Sequence, residues 1–122
     1  MDPIASTGLF TLCFFVPTEH AESVKAAVFS AGAGRLGAYD CCSWETPGTG
    51  QFRPLAGSRP FIGAAGRVER VAELKVEMVC AAACLPQVLA ALRASHPYET
   101  PAFEYWPINL PSEGEHPPAQ NG

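Results

Sequence analysis

Residues Leu9 to Val16 form a short apolar run rich in β-formers, with Leu9, Phe10, Leu12, Cys13, Phe14, Phe15 and Val16 on both faces. Such a run predicts a central strand covered on both sides. Pro17 ends it, and Thr18 suits a helix N-cap. From Glu19 to Ala31, Ala21, Val24, Val28 and Ala31 recur at spacings of three and four, the stripe of an amphipathic helix. Glu19 and Glu22 in its first turn suit the positive end of the helix dipole, and Gly32 is a natural stop. Tyr39 to Thr46 predicts a second strand. Residues 47–66 are dense in Gly and Pro and predict a long loop, a length that compact domains keep for function or leave disordered. Val68 to Cys80 then alternates, Leu74, Val76 and Met78 against Glu73, Lys75 and Glu77, which predicts a half-exposed strand. Leu85 to Ser95 carries Leu85, Val88, Leu89 and Leu92 at helical spacing, with Pro86 in the first turn and Arg93 in the last. Pro97 closes that helix, because the residue before a proline disfavours helical geometry. Pro101 to Ile108 predicts a last, edge strand, since proline is tolerated there.

The order strand, helix, strand, loop, strand, helix, strand is the βαββαβ pattern of a ferredoxin-like α+β sandwich. It places two helices on one face of a four-stranded antiparallel sheet. Residues 9–108 make that single domain, residues 1–8 an N-terminal tail and residues 109–122 a disordered tail with three prolines and two glycines. The other face of the sheet has nothing of this chain to cover it, although the first strand is apolar on both sides. An uncovered apolar face predicts a partner, most simply another copy.

Composition narrows the function. The chain has 122 residues, is 48% hydrophobic and only 16% charged, and carries a formal net charge of −4. A nucleic-acid binder needs a basic footprint to neutralise phosphates, so that class is set aside. The longest uncharged apolar run falls well short of the roughly 20 residues of a membrane helix. The start Met1-Asp2-Pro3 lacks the basic segment of a secretory signal, so the expectation is a cytoplasmic protein with no membrane partner. The five cysteines are odd in number and include no Cys-x-x-Cys pair, which in a reducing compartment reads as small buried hydrophobes.

Three segments carry candidate chemistry. Gly32-Ala33-Gly34-Arg35-Leu36-Gly37 matches G-x-G-x-x-G, but dinucleotide binding requires those glycines to follow a strand and open a helix. Here they follow a helix and precede a strand, so they read as a helix stop and turn. Gly48-Thr49-Gly50-Gln51-Phe52-Arg53 offers backbone N–H groups, an amide and a guanidinium, the ingredients of an anion-binding nest. The alternative is a loop ordered by a neighbouring copy, with Phe52 and Phe61 as anchors. His96-Pro97-Tyr98-Glu99 sits at a helix-to-strand corner. His96 and Glu99 are weak candidates for a divalent metal, since such a site needs three or four ligands and His20 and His116 bear no spacing relation to them. The plainer reading is that Pro97 fixes the corner while His96 and Glu99 satisfy backbone groups or a neighbouring chain. A cysteine nucleophile with His96 as base has nothing to single out one of the five thiols.

Longer strings are more specific. Val24-Lys25-Ala26-Ala27-Val28-Phe29, Ala31 to Asp40, Gly48 to Ser58, Pro60-Phe61-Ile62-Gly63 and His96-Pro97-Tyr98-Glu99-Thr100-Pro101 together resemble the small inserted domain of bacterial NGG1-interacting-factor-like proteins, called the YqfO family when it occurs alone. The resemblance covers residues 9–108. It implies the fold of the CutA and PII signalling proteins, ferredoxin-like trimers, and so supplies another copy as the partner for the bare face. By that similarity, residues 47–63 and the His96 corner form a shared intersubunit site, with Gly48, Gly50, Gln51, Arg53, His96, Tyr98 and Glu99 as its ligand-binding residues. The implied role is a non-enzymatic regulatory module for a small anionic metabolite or a protein partner, with no fixed cofactor. A CutA-like divalent-metal role is the alternative, and a hydrolase the remote one. Full-length relatives add two flanking domains with a dinuclear metal centre, for which this chain has no room, so their cyclohydrolase-like activity is not expected to transfer.

Overall fold

The computed structural model describes residues 8–111; most of both expected tails lies outside the described residues. β1 (Leu9–Pro17) leads through a 3-10 turn (Thr18–His20) into α1 (Ala21–Ser30), followed by β2 (Trp44–Phe52) and β3 (Glu69–Ala81). A second 3-10 turn (Ala82–Cys84) opens α2 (Leu85–Ser95), and β4 (Phe103–Ile108) completes the sheet. The strands lie in the order β2-β3-β1-β4, and every neighbouring pair is antiparallel. This is the ferredoxin-like sandwich that the hydrophobic pattern predicts.

Register decides which side chains meet. Leu12 stands opposite Met78 and Tyr105, and Phe14 opposite Val76 and Phe103. Successive strand residues point to opposite faces, so the even-numbered residues of β1 and β3 face the helices. There Leu12, Phe14, Val16 and Val76 are buried against Val24 and Val28 of α1 and Leu85, Val88 and Leu92 of α2. Lys25 bonds Glu22 of its own helix and ties α1 to the sheet edge through Glu45, each at 2.8 Å. The odd-numbered face presents Thr11, Cys13, Phe15, Lys75, Glu77, Val79 and Trp106, and neither helix covers it. Cys13, between Glu77 and Glu104, is nonetheless fully buried, and that burial pushes its thiol pKa up. Among the described residues no helix is long and apolar enough to cross a membrane.

The structure corrects the second strand. β2 runs from Trp44 to Phe52 rather than from Tyr39 to Thr46, so the irregular stretch begins at Arg53 and not at residue 47. The sequence misleads because Pro47, Gly48 and Gly50 look like loop punctuation. An edge strand tolerates proline, whose missing N–H faces solvent, and β2 is an edge. Residues 36–39 instead form a turn closed by the Leu36–Tyr39 bridge, and residues 40–43 lead irregularly into β2. Thr18 does not cap α1 either; it opens the 3-10 turn, and His20 precedes the helix.

The glycine-rich run is the exit from α1, as its context predicts. Gly34 adopts φ +78°, its N–H donates to Val79 O at 2.8 Å and its carbonyl accepts from Cys42 N at 2.9 Å. A Cβ there would lie 2.7 Å from the Phe29 ring and 2.9 Å from the Cys42 carbonyl. Gly34→Ala combines left-handed strain with these clashes and is expected to destabilise by about 2 kcal/mol. Urea unfolding checks this; an unchanged midpoint would mean that the turn repacks freely.

Candidate functional site

The loop after β2 is pinned rather than loose. Gly66 N–H donates to Pro54 O at 2.7 Å, closing its neck, and the Ser58 N–H and hydroxyl both donate to Leu55 O. A compact loop with adjacent ends of this kind is packed by its own side chains. Its middle is fixed to the α2–β4 corner, where the Arg59 N–H donates to Glu99 Oε1 at 2.9 Å. The loop thus roofs the end of the uncovered sheet face over a half-open cavity of about 790 Å³.

Six of the seven residues singled out by sequence line this cavity. Gly48, Gly50 and Gln51 come from β2, Arg53 opens the loop, and Tyr98 and Glu99 come from the corner. The anion nest does not form as expected. Neither Gly48 nor Gly50 adopts a left-handed φ; both lie in extended strand, paired with Glu73 and Val71 of β3.

His96 stands behind the cavity. It is only 6% exposed, and both its nitrogens are engaged. The Tyr98 N–H donates to Nδ1 at 3.1 Å, so Nδ1 is unprotonated and the proton sits on Nε2, which donates to Phe15 O at 2.7 Å. Burial holds its pKa below the ordinary value; the Phe15 bond and the charge of Glu73 oppose that shift without cancelling it. With one nitrogen donating and the other accepting, His96 has no lone pair for a metal and no free nitrogen for base catalysis. Among the described residues no three His, Cys, Asp or Glu side chains converge as a metal site would require.

Register also brings in residues that the sequence pattern does not mark. Glu73, read as a solvent-facing member of an alternating strand, is only 9% exposed, and its Oε2 accepts from the Tyr98 hydroxyl at 2.8 Å. Burial and this bond both push the Tyr98 pKa up, keeping the phenol protonated. Gly50 makes room for the carboxylate: a Cβ there would collide with Glu73 Oε1. Around Tyr98 gather Phe52, with ring centres 5.7 Å apart, and Phe61 at 6.4 Å, while His20 caps Phe61 edge-on at 5.3 Å. Phe15 and Ile62 extend the apolar wall, and Lys75 is the second basic residue of the lining. The arrangement suits reversible binding: flat apolar walls, one buried carboxylate and a basic side chain at an exposed position.

No protein-family model matches the chain. It is 49% identical over 115 residues to the GTP cyclohydrolase 1 type 2 homolog of Mycobacterium tuberculosis, covering 93% of this chain and 30% of that protein. The Bacillus subtilis protein of the same name is 38% identical, over 98% of this chain and 31% of its own length. The chain therefore spans about a third of these curated relatives. Among solved structures, a Bacillus cereus protein related to NIF3 superposes with a TM-score of 0.73 at 34% identity, covering 89% of this chain and 28% of that one. CutA from Archaeoglobus fulgidus superposes at 0.60 with 19% identity, covering 87% and 89%, which speaks to fold alone. The chain is therefore similar to one domain-sized segment of these longer GTP cyclohydrolase 1 type 2 homologs and NIF3-related proteins, and it has the fold of CutA.

Proposed function

We propose that this chain is a non-enzymatic, self-associating regulatory module that binds a small ligand in the cavity beneath the 53–66 loop. The observation that carries the reading is the cavity itself, large enough for a metabolite and closed by a loop held at both its neck and its middle. Gln51 and Arg53 supply polar contacts for an anionic or polar ligand, Tyr98 and Glu99 its far wall, and His96 fixes the corner from behind. The cyclohydrolase in the relatives' names belongs to proteins about three times as long. In this segment the lining holds no cysteine or histidine, and the Ser58 hydroxyl is committed to Leu55 O. The divalent-cation tolerance after which some CutA proteins are named finds no support at this corner, because His96 has both nitrogens engaged.

Self-association rests on the uncovered sheet face, where Trp44 and Trp106 remain 71% and 38% exposed. Native mass spectrometry of the untagged protein tests both halves at once. The expected spectrum is an oligomer, a trimer by analogy with the fold, carrying retained non-protein mass. A bare monomer would refute self-association and give that face to a different protein.

A further inference from the structure

Glu73 is more deeply buried than a strand carboxylate with this pattern should be, and its surroundings are incomplete. Taking a carboxylate out of water is costly unless donors replace the lost hydration. Oε2 has a single, neutral donor, the Tyr98 hydroxyl. Among the described residues no Lys, Arg or His is ion-paired with Glu73, and no hydrogen-bond donor reaches Oε1. Oε1 is also not sealed off, since no fully buried side-chain oxygen lacks a partner among the described residues. It therefore faces accessible space. Directly opposite in register, Gly48 contributes no side chain, and a Cβ there would meet nothing within 4 Å. The carboxylate packs against Gly50, the space over Gly48 stays open, and the same cavity is lined by Phe52, Phe61 and Tyr98.

Resting on the cavity reading above, we infer that the ligand is a flat aromatic molecule presenting N–H donors on one edge, of the amidine or amino-heterocycle class, with that edge received by Oε1 of Glu73. The ring packs on the aromatic cluster of Phe52, Tyr98 and Phe61, where stacking is favourable without reading ring identity. A cationic or strongly polarised N–H edge gains most, because a charge-assisted bond to a carboxylate is stronger in a site sheltered from water. Arg53, at an exposed position of the lining, stays free for an anionic substituent on the same ligand.

The test is a pair of probes of the same shape and opposite donor character, benzamidine and benzoate, followed through the backbone amide spectrum of the isotope-labelled full chain. Benzamidine is expected to shift the amides of Gly50, Phe52 and Tyr98 and to bind at least about tenfold tighter than benzoate, a preference that Glu73→Gln abolishes. If that variant fails to fold, Phe61→Ala, at a half-exposed loop position, is expected to weaken benzamidine severalfold; unchanged affinity would overturn the inference. Equal or tighter binding of benzoate at the same amides would refute the donor edge while leaving the cavity reading intact. Benzamidine shifts confined to the face around Glu77 and Glu104 would refute the donor edge as well. If neither probe moves the cavity amides, the donor edge and the cavity reading fail together.

Discussion

His96→Ala is expected to lower the unfolding free energy by about 3–5 kcal/mol, read as an earlier transition in chemical denaturation. The substitution orphans two backbone groups, the Phe15 carbonyl and the Tyr98 N–H, which the ring now joins across the chain. Each unpaired buried group costs about 1–3 kcal/mol, and the lost ring adds a cavity. The same residue makes stability depend on pH. Its folded pKa lies below the ordinary 6.5, so the unfolded chain binds a proton that the folded one refuses. Stability therefore falls as pH drops from that value toward the lower folded one, and is insensitive to this group above it. The alanine variant should lose that part of the pH profile and keep the part due to carboxylates. A variant as stable as the parent at neutral pH would show that the corner has another anchor.

Phe14→Ala is the second large effect, about 3–5 kcal/mol, because a fully buried ring is removed from the centre of the core. Its neighbour provides the control. Phe15 points to the opposite face and lines the cavity, so Phe15→Ala should cost about 1 kcal/mol of stability while altering the cavity wall. Thermal unfolding of the two variants side by side checks the assignment of faces; equal losses would contradict it.

The legible parts of the fold were those with strong periodicity and clear punctuation. α2 begins at Leu85 and ends at Ser95 as its leucine spacing and Pro97 predict, and β3 departs from its expected ends by one residue at each. β2 was illegible because proline and glycine report local backbone preference, whereas tolerance for them depends on being an edge, which is a property of the whole sheet. The candidate site divides in the same way. Arg53, Tyr98 and Glu99 stood out as polar groups among glycines and prolines. Glu73 did not, because alternation along β3 says only that it leaves the helix-facing side. Its partners are Tyr98, 25 positions away, whose hydroxyl bonds it, and Gly50 of the neighbouring strand, against which it packs. His96 invited a metal reading from its spacing to Glu99, but its partner is a carbonyl 81 positions distant in sequence, beyond any local pattern.

Gly50 and Glu73 are best regarded as a single heritable character. Because the carboxylate fills the space that a side chain at position 50 would need, neither residue can drift alone without disturbing Tyr98 and, through it, the corner. A lineage that shortens position 73 gains freedom at 50, and one that fills 50 first must expel its acid.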